Sequence, residues 1–296
     1  MPYPPRKIPS LTAPRARVTR ARKYAAELQA EIAPGARPDL YQAFVAPENQ
    51  PDTYTLSARI SPDLGVRWGL IVSDALHNLR SALDETFCQL VRLTTPRDNC
   101  RNRQFPIECK QDKIDDKLRQ VPSAAVAIIK QLQPYQAGSI EQARRTLLRV
   151  LHDLNIWDKH RFLSIITRNV SFPFQGITAD GQPISGGASL TLDGYTRDII
   201  EETEGWTLYR NSFQAPAGVT MGMPYMYLGW GWHWSGNPHL VDRTLIMLSD
   251  EVDRVLNLLE PVFDAEVGRI NAEWDALGNP EVNIDDWLAS LETPLA

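Results

Sequence analysis

The sequence predicts an α+β fold. A helical bundle is built on two long helices, and a Trp-rich antiparallel β segment is inserted before a C-terminal helix. Three observations carry this prediction. Over Val66–Leu93, Trp68, Val72, Leu76, Leu79, Leu83, Phe87 and Leu90 recur at helical steps and form one apolar stripe. Over Ile140–Ile166, Leu147, Leu151, Leu154, Phe162 and Ile165 do the same. From Ser171 to His239 the composition shifts to Gly, Thr, Tyr and Trp, and Asp180-Gly181 and Asp193-Gly194 read as hairpin turns.

In chain order, residues 1–12 read as a flexible Pro-rich arm. Val18, Ala21, Ala25, Leu28 and Ile32 predict a helix that Pro34-Gly35 ends. Pro47–Pro51 is a connection, and Thr53–Ile60 alternates as a short strand. Ser61-Pro62-Asp63 starts the long helix. Thr94–Lys110 reads as a loop, and Ile114–Leu118 as a short helix. Pro122 opens a helix through Val126, Ile129 and Leu132, which Gln133-Pro134-Tyr135 closes. The bundle is expected over 13–167 and the β subdomain over 168–248. Strands are expected around Ala188–Leu192, Trp206–Tyr209 and Tyr225–Trp234, with Arg243–Leu248 as the last. Ser249 is the expected N-cap of a helix over 249–266 that Pro261 should kink or interrupt, and 267–296 is an acidic tail in which Trp287 is the docking residue.

Composition narrows the function. With 296 residues, 43% hydrophobic and 23% charged, the chain has the make-up of a globular protein. A net charge of -5 disfavours a general nucleic-acid coat protein. Arg15, Arg17, Arg20, Arg22 and Lys23 make the start basic, and the region from Asp250 on is acidic, so the two ends are expected to attract one another. Cys88, Cys100 and Cys109 lack CxxC spacing and read as reduced thiols of a cytoplasmic protein. No run approaches the ~18 apolar residues of a membrane span. Neither a metal nor a cofactor is expected.

The candidate site starts from the polar side of the long helix. His77, Asn78, Arg80, Asp84 and Glu85 supply a proton-transfer group, an amide, a fixed cation and two carboxylates within two turns, on a face without Lys. The second cluster is Leu151–Leu163, with His152, Asn155, Asp158, Lys159, His160 and Arg161. Asp158 falls within an apolar stripe, where a carboxylate is costly unless paired, and Arg80 or His77 would suit it. The first cluster reads equally as a solvated face, and the second as a buried polar clamp joining two helices. Trp230, Trp232 and Trp234 alternate on one strand face, either as an aromatic platform for sugars or bases or as packing against the helices.

Ser73–Glu85, SDALHNLRSALDE, and Leu151–Leu163, LHDLNIWDKHRFL, resemble an uncharacterised bacterial family of actinobacterial type. Its members read close to GDALHNLRSALDH and LxxLxNxDKHRxL. The resemblance extends to an FPI segment, here Phe105-Pro106-Ile107, and a QPY segment, here Gln133-Pro134-Tyr135. A second resemblance is to HEPN-like helical proteins, many of them RNases. It implies that Arg80 holds phosphate, that His77 and His160 transfer protons and that Asp158 orients one of them. Glu85 stands where the first family has His, so the RNase motif is incomplete. Three functions remain open. One is a HEPN-like protein of defence or toxin type that binds or acts on RNA or a nucleotide, with a homodimer as the expected assembly. The others are a non-catalytic interaction module with structural clamps and a small-molecule hydrolase around His77, Asp84, His152 and Asp158.

Overall fold

The computed structural model describes residues 9–33, 36–39, 41–50, 53–61, 63–95, 100–101, 103–160, 165–177, 183–191, 199–203, 206–214, 220–221, 225–230 and 240–276. Among them it contains seven α-helices and eight strands, an α+β fold. The helices are α1 (Thr12–Ile32), α2 (Asp63–Thr94), α3 (Ile114–Leu118), α4 (Ser123–Gln131), α5 (Ile140–Arg145), α6 (Leu147–His160) and α7 (Val241–Ala276). The strands are β1 (Tyr41–Pro47), β2 (Thr53–Ile60), β3 (Ile165–Ile177), β4 (Pro183–Thr191), β5 (Ile199–Thr203), β6 (Trp206–Gln214), β7 (Thr220–Met221) and β8 (Tyr225–Trp230). No described helix is long and apolar enough to cross a membrane.

The chain divides into two compact units. Unit 1 is Met1–Val18, Arg80–Val150 and Asp250–Ala296, and unit 2 is Thr19–Leu79 and Leu151–Ser249. The boundaries fall inside α1, α2, α6 and α7. Helix α2 is the expected central element. Trp68, Val72, Leu76, Leu79, Leu83 and Leu90 on its apolar stripe are fully buried. Arg80, Thr86 and Asn78 are buried as well, so the middle of α2 is enclosed on more than its apolar side.

Unit 2 holds both sheets. The first has strand order β1-β2-β6-β5, all antiparallel. The second places β3 between β4 on one side and β7 and β8 on the other. The strand expected at Thr53–Ile60 is present and pairs with β6, so strands from before α2 and after α6 share one sheet. Strand β1 escaped the sequence reading because Tyr41, Ala43 and Val45 alternate with Gln42, Phe44 and Ala46, leaving apolar residues on both faces. The hairpin turns Asp180-Gly181 and Asp193-Gly194 lie outside the described residues.

Four expectations are corrected. The helix expected over Ile140–Ile166 is two helices. Thr146 is extended (φ −65°, ψ 143°), and its hydroxyl donates to the Ala143 carbonyl at 2.9 Å, which ends α5. The break changes the inward face, so Leu148 is buried and Leu147 only half-buried. The chain is again extended by Ile165 and Ile166, the first residues of β3. Second, Arg243–Leu248 is helix, not strand. Val241, Leu245, Leu248, Val252, Val255 and Leu259 are buried at continuous helical spacing. Ser249 is therefore inside α7, donating to the Leu245 carbonyl at 2.7 Å, and does not cap it. Third, α7 continues through Pro261. Proline removes the donor to the Asn257 carbonyl, and it does so on the exposed side of α7, where both residues lie. Fourth, Cys88 and Cys100 are disulfide-bonded, and Cys109 is the free thiol among the three.

Around Trp68 unit 2 builds a polar network. Glu31 accepts from Arg67 through Nε and Nη2 and from Trp68 Nε1 at 3.1 Å, with Arg37 Nη1 at 3.5 Å. The Arg67 hydrogen bond, seconded by Trp68, holds the Glu31 pKa below the ordinary carboxylate value against the opposing effect of burial. A depressed folded-state pKa contributes stability above the unfolded value, about 4.3 for Glu, and loses it as pH falls through the folded value. Glu31→Gln is therefore expected to destabilise at about pH 7 and to differ progressively less from wild type in acid. Denaturant midpoints measured along a pH series check this, and a constant difference down to the acid limit would contradict it.

Candidate functional site

The sequence-predicted cluster on α2 is resolved into separate roles. Arg80, Asp84 and Cys88 follow at four-residue steps, so they lie one above another on one face. All three hold the segment that returns after α2. Arg80 Nη2 donates to the Phe105 carbonyl at 2.9 Å and lies 2.8 Å from Asp84 Oδ1. Asp84 Oδ1 in turn accepts the Phe105 N–H at 2.9 Å. One turn further, Cys88 is bonded to Cys100.

The segment held is buried. Phe105 is 1% exposed and packs edge-on against Phe87, with ring centroids 6.3 Å apart, and Ile107 is buried beside it. Phe105–Ile107 belongs to neither helix nor strand, so side chains must satisfy its main-chain groups. Gln133 completes this. Its Nε2 donates to the Pro106 and Ile129 carbonyls, each at 3.0 Å, and its Oε1 accepts the Glu108 N–H at 2.9 Å. The Tyr135 N–H donates to the Glu108 carbonyl at 3.2 Å. The RSALD, FPI and QPY segments are thus one interlocked structure in unit 1. Sequence reasoning noted Gln133 as a helix end and as part of the QPY segment, not as a side-chain clamp. The available signal was an apolar, unpatterned Phe-Pro-Ile stretch, whose backbone needs amide partners.

Arg80 is 4% exposed. Burial lowers its pKa, and Asp84 opposes that shift. Its Nη1 is buried without a hydrogen-bond partner. This guanidinium is occupied with protein groups on its inner edges and does not face solvent.

The other predicted residues are placed as follows. Glu85 is half-buried and pairs with Arg17 Nε at 2.9 Å. Arg15 pairs with Asp253 at 3.4 Å and Glu260 at 2.9 Å, and donates to Asn257 at 2.9 Å. In unit 1 the basic start of the chain is thus held by acidic residues of α2 and α7. Asn78 is buried and donates to the Asp74 carbonyl at 2.7 Å, a local helix contact, whereas His77 is exposed.

In unit 2, Asp158 is half-buried and accepts from the Ser73 hydroxyl, a contact that joins α6 to α2. Asn155 is 4% exposed and its Oδ1 has no partner. Lys159 is exposed, and His152 is half-buried. His160 is the last residue of α6, with its side chain outside the description, and Arg161 lies beyond the described residues. Trp230 closes β8, and Trp232 and Trp234 lie outside the described residues.

Among the described residues no three His, Cys, Asp or Glu side chains converge as a metal site would need. Unit 1 carries a cleft of about 390 Å³ between the end of α4, the start of α6 and α7. Ile128, Leu132, Leu148 and Leu258 form its apolar lining, and Gln136 and Arg254 are among its polar groups. Arg254 is paired there with Glu251 through two contacts of 2.7 and 2.8 Å. None of His77, Arg80, Asp84 or Asp158 lines it. A comparison of the chain with known proteins found no matching family model, no matching curated protein and no matching solved structure.

Proposed function

We propose that the protein is a non-catalytic interaction module in which the polar motifs are structural clamps. One observation carries this reading: Arg80, the residue that would hold phosphate in an RNase, is buried against Asp84 and the Phe105 carbonyl. A buried guanidinium whose Nε and Nη2 donate to Asp84 and to the Phe105 carbonyl has a positional role. Glu85, one turn along, is tied to Arg17, which supports the same reading. The hydrolase alternative would need a pocket that touches the clusters, and the cleft in unit 1 is lined by other residues. In this reading the partner surface is the Trp-rich segment around β8, a strand whose described pairing is to β3 alone.

The test is an RNA-cleavage assay with wild type and Arg80→Lys, which keeps the charge but loses the planar fork. Wild type is expected to leave a mixed-sequence, end-labelled RNA intact, and Arg80→Lys to lower thermal stability. Cleavage by wild type that disappears in a folded Arg80→Lys protein would overturn the proposal in favour of the RNase.

A further inference from the structure

The segment returning along α2 is fastened by contacts of two kinds. Arg103 donates through Nη2 to Gln120 Oε1, and Phe105–Glu108 is held by Arg80, Asp84 and Gln133 and by burial of Phe105, all independent of redox state. Cys100 is held by the disulfide to Cys88, with Cα atoms 5.6 Å apart and a sequence separation of 12. Cys100 is also the one described non-glycine residue with positive φ, at 57°, a left-handed conformation unfavourable for a residue with a Cβ. Breaking the bond would remove a constraint that keeps Cys100 there, while the second fastening stays in place.

Access is asymmetric. Cys88 is 9% exposed on α2, whereas Cys100 is half-exposed, next to exposed Arg101. A thiolate from solvent therefore reaches the Cys100 sulfur, and the Cys88 sulfur is the leaving group.

We propose that Cys88–Cys100 is a redox-controlled latch on Cys100 and Arg101, with the contacts of Arg103 and the polar clamp at Phe105–Glu108 as its fixed, redox-insensitive anchor. The reductant is a dithiol. Its first thiolate attacks Cys100 Sγ, forming a mixed disulfide and releasing Cys88 as a thiolate, which takes up a proton. Its second thiol displaces Cys100, which is also protonated. Two electrons and two protons pass to the protein, and the dithiol leaves as its own disulfide. The proposal is independent of the module reading above, because it rests on a different side-chain pair and changes the loop, not a ligand site.

The test combines thiol counting with limited trypsin digestion of the full chain, with and without dithiothreitol, followed by peptide mass analysis. Before reduction one thiol per chain, Cys109, is expected to react with iodoacetamide under denaturing conditions, and after reduction three. Cutting after Arg101 is expected to accelerate on the order of tenfold on reduction, because a local opening is released while the rest of the chain keeps its protection. Cutting after Arg67 and Arg254 serves as the internal reference and should not change. Cys100→Ser should cut at the fast rate with or without dithiothreitol, and wild type under reductant keeps the test decisive if that variant does not fold. Three reactive thiols after treatment with oxidised glutathione, a bond involving Cys109, an unchanged rate at Arg101, or equal acceleration at all sites would each overturn the latch.

Discussion

Asp84→Ala is expected to destabilise the protein by about 3–5 kcal/mol, the range for stripping one partner from a buried ion pair. The loss should exceed that of Arg80→Ala, and the reason is the asymmetry of the pair. The Arg80 side chain is 5% exposed and that of Asp84 is 25% exposed. Removing Asp84 strands a charged guanidinium whose Nη1 already lacks a partner, and it also orphans the Phe105 N–H. Removing Arg80 leaves a carboxylate that reaches solvent and still accepts the Phe105 N–H. The lost contact is then mainly the one to the Phe105 carbonyl. Arg80→Met combined with Asp84→Leu should cost less than the sum of the two alanine variants, since neither partner is left charged and alone. Denaturant unfolding at constant slope measures all three. Equal losses for the two alanine variants, or strict additivity in the double variant, would show that the pair is not the clamp described.

Trp68→Ala is the other large effect, at about 3–5 kcal/mol for an aromatic side chain removed from a core. Trp68 is fully buried and its indole N–H is engaged by Glu31 at 3.1 Å, so the variant leaves both a cavity and a carboxylate with one donor fewer. Trp68→Phe separates the two. It retains much of the volume but no N–H, and is expected to cost about 1–3 kcal/mol. It should also shrink the pH dependence of stability, because Trp68 helps to depress the Glu31 pKa. With the folded value nearer the unfolded one, less stability is lost on acidification. Midpoints for both variants along the same pH series test this, and a Trp68→Phe curve parallel to wild type would refute the link to Glu31.

The roles of the α2 polar residues bear on how functional motifs are read. A stripe of His77, Asn78, Arg80, Asp84 and Glu85 without Lys looked unlike an ordinary wet face. Part of it is an inner face, yet what Arg80 and Asp84 meet is the chain's own Phe-Pro-Ile segment. A buried extended segment outside any sheet needs side-chain donors and acceptors as strictly as a substrate does. Arg, Asp and Gln at fixed positions therefore look alike in the two cases when only residue types are visible.

What the sequence determined by itself is local. Helix α2 was legible because its apolar residues keep helical period from Trp68 to Leu90, about six turns, and β2 because it alternates cleanly. The antiparallel character of the β region followed from its composition and its turn dipeptides. The tertiary structure decided what period cannot carry. Thr146 ends α5 through its own hydroxyl, while the Leu pattern on either side reads as uninterrupted. Arg243–Leu248 is helical because burial of Leu245 and Leu248 continues the face of α7. Cys88 and Cys100 are paired because the return segment runs back beside α2, a proximity that spacing in the sequence does not encode. Which acceptor Arg80 meets was likewise a matter of long-range packing. A helical face shows that a charged group points inward, and only the segment folded against it determines whether that group binds a ligand or the protein itself.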